Sequence, residues 1–114
     1  MNIPTYVITM IGEGLSENLA QECIESAKKF GIQAKIFPAT WGKDIDKHFV
    51  EQDLKIYKKG QKKKDINPGL KGCLLSHYRL WKKCIESQEP MMIFEHDNIV
   101  LRDIPEKLLN TFED

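Results

Sequence analysis

A strand, a helix and a second strand are predicted within the first 38 residues, and this order most constrains the fold. The β-branched and aromatic run from Pro4 to Ile11 indicates a strand buried on both faces. A helix follows with Ser16 as its expected N-cap, and Gly31 stops it before a strand at Ile32 to Pro38. Such a unit implies a parallel sheet with a right-handed crossover, so we expect an α/β chain. The buried stripe of the helix is predicted to be Leu19, Cys23, Ile24 and Ala27.

A longer helix is predicted from Leu70 to Ser87. At about 100° per residue, its apolar residues fall on two adjacent stripes. The first stripe is Cys73, His77, Leu80 and Cys84, and the second is Leu74, Tyr78, Trp81 and Ile85. The opposite, solvated face is predicted to be Ser76, Arg79, Lys82, Lys83 and Glu86, interrupted by Leu75. Tyr78 and Trp81 are therefore expected in the core, and His77 is either a core histidine or a site group.

A short apolar strand after this helix ends in an acidic triplet. Pro90 breaks the helical pattern, and Met91 to Phe94 then delivers Glu95-His96-Asp97 at the carboxyl end of the strand. Open α/β sheets bind ligands at that end. Because side chains alternate along an extended chain, His96 is expected to point away from its two acidic neighbours. The spacing alone fits either solvated acids at a strand end or a binding site.

Two motifs occur in this region in a fixed order. The first is Gly72-Cys73-Leu74-Leu75-Ser76-His77, and the second, after the predicted strand, is Glu95-His96-Asp97. Together they resemble glycosyltransferase family 25, the lipopolysaccharide and lipooligosaccharide glycosyltransferases, whose pattern is G-C-x-x-S-H followed by a strand and E-D-D. The resemblance extends more weakly over the whole chain. One departure is His96, which stands where the family usually has an acidic residue.

The resemblance implies both a fold and a reaction. The fold would be a Rossmann-like parallel sheet of about four strands, with residues 1–114 as a single domain equivalent to the N-terminal, donor-side part of a GT-A domain. The reaction would be metal-dependent transfer of a sugar from a nucleotide-sugar donor to a hydroxyl of a lipopolysaccharide-type glycan acceptor. Mn²⁺ or Mg²⁺ would be the cofactor, with Asp97 as a direct ligand. Glu95 would be a second metal-site residue, contacting the ribose or a metal-bound water. The other implied substrate-binding residues are Ser76, His77, Arg79 and His96, and no catalytic base is assigned.

Two segments leave the contacts to the donor open. The loop after the first strand usually carries arginines in the family, but Thr9 to Ser16 contains none. Its glycines, Gly12 and Gly14, either form a turn or let backbone N–H groups approach a phosphate. The lysine-rich stretch from Lys55 to Lys64, with Lys71 close behind, is either a solvated segment or one that folds over a diphosphate or an anionic acceptor.

Charge and composition narrow the class of protein. Seventeen basic and seventeen acidic residues give a formal net charge of zero, so the chain has no overall positive potential that would attract nucleic acid. The N-terminus has no basic region and the apolar run from Tyr6 to Ile11 is too short to span a membrane, which predicts a cytoplasmic protein without a transmembrane segment. Three cysteines without CxxC spacing fit a reducing compartment. Cys23, Cys73 and Cys84 are therefore predicted to be core thiols.

The remaining elements and the length complete the prediction. Trp41-Gly42 is expected to be a turn, Asp44 to cap a short helix through Val50, and Asn98 to Leu101 to be either a further short strand or an extended segment. A last helix is expected from Asp103 through Phe112. Because 114 residues are few for a nucleotide-sugar enzyme, the alternative is a truncated, non-catalytic donor half that serves as a binding or interaction module. Its apolar helix would then favour homo-oligomers.

Overall fold

The computed structural model describes residues 3–54 and 68–112. The elements in chain order are β1 (Thr5–Thr9), α1 (Gly14–Lys28), β2 (Ala34–Pro38), α2 (Ile45–Glu51), α3 (Pro68–Ser87), β3 (Met92–Glu95), α4 (Glu106–Leu109) and a 3-10 turn (Asn110–Phe112). Of the predicted lysine-rich group, only Lys71 lies within the described residues. No helix in these two ranges is long and apolar enough to cross a membrane.

The three strands form a parallel sheet in the order β2-β1-β3. Thr5 of β1 is level with Ala34 of β2 and with Met92 of β3, so the first strand is central. The chain leaves β1 toward one neighbour through α1 and later reaches the other neighbour through α3. The strand order therefore reverses at β1, and its carboxyl end is the place where such sheets bind ligands. The predicted α/β class with a Rossmann-like parallel sheet is confirmed.

Helices cover both faces of the sheet. On one face, Ala20 and Cys23 of α1 form a buried cluster with Val7 of β1. On the other face, α3 places the guanidinium of Arg79 5.0 Å from the centre of the Phe37 ring, and Lys83 5.7 Å from that of Tyr6. Alternate residues of β1 consequently contact α1 and α3, as a strand between two helical layers requires.

The first helix begins earlier than predicted. Glu13 is its N-cap, and the Glu13 carboxylate accepts from the N–H of Leu15. Ser16, the expected cap, is instead buried within the first turn of the helix. The buried row is Ser16, Ala20, Cys23 and Ala27, so Leu19 and Ile24 of the predicted stripe are only half-buried. Small residues let α1 lie close to the sheet, and a hydropathy pattern undervalues them.

The predicted faces of the long helix are wrong in part. The buried residues of α3 are Gly72, Leu75, Ser76 and Leu80. Trp81 is 51% exposed and Ile85 is 74% exposed, so their stripe faces solvent, although Tyr78 packs partly against a second cluster of Ile45, Phe49 and Leu75. The cause is a close approach of backbones, because a Cβ on Gly72 would lie 2.7 Å from the carbonyl oxygen of Thr40. This contact turns the small residues Gly72 and Ser76 toward the loop after β2.

Three other predictions need correction. Of the two alternatives for Asn98 to Leu101, the strand is not formed, since the N–H of Val100 donates to Ser26 Oγ of α1 at 2.9 Å. Among the described residues, the sheet therefore has three strands rather than four. Asp44 occupies the N-cap position of α2, but its side chain forms no capping hydrogen bond. The last helix is only Glu106–Leu109 with the following turn.

Candidate functional site

A cleft of about 660 Å³ opens at the carboxyl ends of the strands. Four segments surround it: the end of β1 with its loop, the loop after β2, the first turns of α3, and the turn after β3. The residues that line it include Met10, Thr40, Cys73, Ser76, Glu95, His96 and Asp97. Both motifs found in the sequence therefore contribute to one cleft at the reversal point of the sheet.

Glu95 is the last residue of β3, and its carboxylate faces α3. Its Oε1 atom lies 3.7 Å from Nε2 of His77 and 3.9 Å from Sγ of Cys73. The backbone around it is fixed by a reciprocal turn: the N–H of Glu95 donates to Oδ1 of Asn98 at 2.7 Å, and the N–H of Asn98 donates to the carbonyl of Glu95 at 3.0 Å. This turn holds the acidic triplet in place at the edge of the cleft.

His96 lies on the other side of the strand and joins two loops. Its Nδ1 atom is 2.8 Å from Oγ of Ser16, and that oxygen also accepts from the N–H of Met10 at 2.9 Å. The loop after β1, the first turn of α1 and the turn after β3 are thereby connected through a single hydroxyl. His96 thus supports the shape of the cleft.

Asp97 is exposed in the turn after β3 and lines the cleft. Its carboxylate accepts no hydrogen bond from residues 3–54 or 68–112. It does act at a distance on Cys23, where burial first and the charge of Asp97 second raise the pKa of the thiol above the ordinary 9.0. An exposed carboxylate that accepts no hydrogen bond from the described part of the chain is suited to binding a cation or a ligand hydroxyl.

The predicted core position of Cys73 is wrong. This residue is exposed on the cleft side of α3, whereas Cys23 is buried and Cys84 is half-buried. Partial desolvation, then the charge of Glu95 and the hydrogen bond to it, raise the pKa of the Cys73 thiol. The spacing of Cys73 and His77, four residues apart on a helix, could have indicated that both side chains share one face.

Ser76 and Arg79 are engaged in holding the loop after β2. Ser76 is fully buried; its hydroxyl donates to the carbonyl of Gly72 at 2.7 Å and accepts from the N–H of Thr40 at 3.0 Å. Arg79 donates to Oγ1 of Thr40 at 2.7 Å and stacks on Phe37. Ser76 therefore forms the wall of the cleft, and Arg79 lies outside it. Of the predicted site residues, the structure gathers Glu95, His96, Asp97 and His77, with Ser76 behind them.

The N-terminus of α1 is already occupied by carboxylates. The N–H of Gly12 donates to Oε1 of Glu17 at 2.8 Å, and the N–H of Leu15 donates to Oε1 of Glu13. Gly12 has φ +92°, which a turn requires and a side chain would resist. These contacts favour the turn interpretation of the two glycines over a phosphate contact.

A pair that the sequence did not predict lies near the opening of the cleft. Nζ of Lys71 is 2.6 Å from Oδ1 of Asp46, and both Asp46 and the turn around Gly42 line the cleft. The Lys71 side chain is largely covered and Asp46 is exposed. This ion pair joins the start of α3 to α2, so the Lys71 ammonium already has a partner within the chain.

Comparisons with known proteins identify related sequences. Residues 4–114 match the family model described as "Glycosyltransferase family 25 (LPS biosynthesis protein)". A stretch of 49 residues is 45% identical to the lipooligosaccharide biosynthesis protein lex-1 of Haemophilus influenzae. That match covers 42% of this chain and 16% of the relative, so the chain spans a small part of its length. No solved structure matches the chain significantly.

Proposed function

The chain belongs to glycosyltransferase family 25, and we propose that it forms the donor side of a metal-dependent glycosyltransferase. The reaction would move a sugar from a nucleotide-sugar donor to a hydroxyl of a lipopolysaccharide-type glycan acceptor. The observation that carries the proposal is the position of the family's acidic motif: Glu95 and Asp97 line the cleft where the strand order reverses.

The carboxylates support a hard divalent cation. Mn²⁺ and Mg²⁺ prefer oxygen ligands and are commonly held by one or two carboxylates together with substrate phosphates. Asp97 fits this role because its carboxylate is exposed and has no hydrogen-bond donor among the described residues. Glu95 has 55% of its side chain exposed and would contact the ribose or a metal-bound water. When bound, the cation would neutralise charge that develops on the departing diphosphate.

The other residues of the site would keep the acidic turn fixed. The contact of His96 with Ser16 holds the turn from the side of α1, and the reciprocal hydrogen bonds of Asn98 hold its backbone. A carboxylate that is positioned before the donor binds needs little ordering at that moment, and this lowers the entropic cost of binding. His96 is thus proposed as a residue that supports the cation site without ligating it.

Calorimetry of Mn²⁺ binding, with and without uridine diphosphate, tests the proposal. We expect weak binding of Mn²⁺ alone and tighter binding with the diphosphate, because two carboxylates leave most of the coordination shell to the phosphates. Asp97→Asn should remove this coupling. The matched control is Asp103→Asn, since Asp103 lies beside the beginning of β1, away from the cleft. A parent chain whose affinity for Mn²⁺ ignores the diphosphate would contradict the proposal.

The second candidate function is an interaction module. Leu74, Trp81 and Ile85 form an exposed apolar row on α3, with exposures of 37%, 51% and 74%. A row of this kind is typical of a surface that packs against another protein element. Light scattering over a range of concentrations tests it: association that Trp81→Glu abolishes would favour the module, and a monomer throughout would count against it.

A further inference from the structure

We propose that Cys73, His77 and Glu95 form a binding site for a zinc-class divalent transition metal. The site differs in chemistry from the oxygen-ligand cation site proposed at Asp97, because it offers one sulfur, one nitrogen and one oxygen. It does not depend on the proposed glycosyl transfer. Three donor atoms, one from each of these residues, all lie within 4.8 Å of one another.

The separation between His77 and Glu95 fits metal ligands better than a hydrogen bond. Zinc at its usual bond lengths and tetrahedral angles places neighbouring donor atoms about 3.3–3.6 Å apart. Here Oε1 of Glu95 is 3.7 Å from Nε2 of His77 and 3.9 Å from Sγ of Cys73. A nitrogen–oxygen hydrogen bond would be about 2.7–3.2 Å long, so the histidine and the carboxylate are too far apart for one. Shifts of a few tenths of an ångström would bring these two pairs to metal-ligand separations, and the donor atoms of Cys73 and His77 lie within 4.8 Å of each other.

Regular elements hold all three donors. Cys73 and His77 lie four residues apart on α3 and therefore share a face, and Glu95 ends β3 beside them. The His77 ring is supported by Trp81, whose ring is nearly parallel at 19° with a centroid distance of 6.1 Å. This contact gives the half-exposed tryptophan a role in orienting a ligand, which its place outside the core leaves otherwise unexplained. Sites on helices and strands hold their geometry better than sites on loops.

The set of three donors leaves a coordination position toward the cleft. Cys73 and Glu95 both line the cleft. Three protein ligands with one open position are typical of zinc sites that bind a water or a substrate, whereas structural zinc sites usually have four protein ligands. Thiolate and imidazole donors favour zinc, cobalt or copper over Mg²⁺ and Mn²⁺. The structure therefore places a mixed sulfur, nitrogen and oxygen donor set and the hard carboxylate of Asp97 at one opening, with Glu95 beside both.

Cobalt titration of the 114-residue chain gives a direct test. Co²⁺ occupies zinc sites, and its bond to a thiolate produces an intense charge-transfer absorption in the near ultraviolet. We expect this absorption in the parent, its loss in Cys73→Ser, and its retention in Cys84→Ser. Cys84 is the matched control because it lies on the same helix, where its thiol donates to the carbonyl of Glu89 instead. A parent without the absorption, or a Cys73→Ser variant that keeps it, would overturn the proposal.

Zinc affinity tests the other two ligands. Zinc binding should weaken by at least about tenfold in His77→Gln and in Glu95→Gln, because a three-ligand site loses one donor. His48→Gln is the control, since His48 also faces an acid, Glu51, at 3.5 Å but has no thiol beside it. Equal weakening in the control would contradict the assignment.

Two further measurements separate this site from the proposed catalytic cation site. Asp97→Asn should leave zinc affinity unchanged while it removes the coupling of Mn²⁺ to uridine diphosphate. If the parent shows no coupling between Mn²⁺ and uridine diphosphate, but its cobalt absorption still depends on Cys73, the proposed function is rejected and the zinc site is retained. In the unmodified chain, zinc should slow alkylation of Cys73 relative to Cys84, as mapped by mass spectrometry. Equal rates for the two thiols would reject the site without any variant.

Discussion

Nδ1 of His96 lies 2.8 Å from Oγ of Ser16, although 80 positions separate the two residues in the chain. Ser16 is buried at the start of α1 and also accepts from the N–H of Met10. One hydroxyl therefore joins the loop after β1 to the turn that carries Asp97. The stability of the fold and the geometry of the cleft depend on the same contact.

Ser16→Ala should destabilise the chain by about 1–3 kcal/mol, because it leaves the Met10 N–H and the imidazole without their shared partner. Urea denaturation measures the loss. Ser87→Ala is the matched control: the exposed Ser87 hydroxyl donates to the carbonyl of Cys84, one helical turn away, and we expect a change within about 0.5 kcal/mol. Similar values for the two variants would contradict a special role for Ser16.

Gly72→Ala should destabilise the chain by about 1–3 kcal/mol, although alanine is the better helix former. The added Cβ would stand 2.7 Å from the carbonyl oxygen of Thr40, which is backbone and cannot rotate away. Gly14→Ala is the control, since a Cβ at Gly14, in the first turn of α1, meets nothing within 4 Å. Thermal unfolding of both variants measures the difference. A Gly72→Ala variant as stable as the parent would show that α3 can move away from the loop.

Trp81→Ala should cost far less than the truncation of a core aromatic residue, about 1 kcal/mol instead of about 3–5. The ring is 51% exposed and its described ring contact is with His77. Leu80→Ala, at the adjacent and fully buried position, should cost about 2–5 kcal/mol. Chemical denaturation of the pair tests the assignment of the two faces. A larger loss at Trp81 than at Leu80 would restore the expectation drawn from the sequence.

Alkylation of Cys73 should have its midpoint above pH 9.0 in buffer with a chelator, because desolvation and the charge of Glu95 both raise the pKa of this thiol. The thiolate is the reactive form, so the rate rises only as pH passes that pKa. Because the pKa of the Cys73 thiol is raised in the folded chain, this group favours the folded state at pH values below its pKa in the unfolded chain. That contribution to stability is lost as the pH rises through its pKa in the folded chain.

Glu95→Gln should lower the midpoint for Cys73, since it removes the neighbouring negative charge. Glu86→Gln serves as the control, because Glu86 is an exposed acid on the same helix and is not a cause of the shift. The rate of iodoacetamide labelling across a pH series measures both. A midpoint that is equally lowered in the two variants would assign the effect to net charge.

The sequence predicted the sheet because β-branched runs and a helix of the right length carry a strong periodic signal. It placed the acidic triplet at the strand end through the order of Pro90, the apolar run and Glu95. It failed on the orientation of α3, since Ser76 is polar by composition but fully buried by contact with Thr40. The contact of Gly72 and Ser76 with the backbone of Thr40 depends on tertiary packing, which hydropathy does not describe.

The candidate site was predicted through its motifs more than through its contacts. Glu95 and Asp97 line the cleft together, as the motif predicted. The local sequence did not indicate that the Glu95 carboxylate would face Cys73 and His77. Cys73 was assigned to the core because cysteine is usually buried. Its true position follows from the rotation of α3, which the contact between Gly72 and Thr40 determines.

The central position of β1 also orders events during synthesis. Thr5 pairs with Ala34, which the ribosome adds soon after it, and with Met92, which it adds much later. Closing the longer loop costs more entropy, so β3 is expected to dock last. Until then β1 keeps one edge unpaired, and such edges recruit strands from other chains. The nascent chain is therefore most prone to misassembly before β3, which ends at Glu95, has been synthesised. Docking of β3 both completes the cleft and covers the unpaired edge of β1.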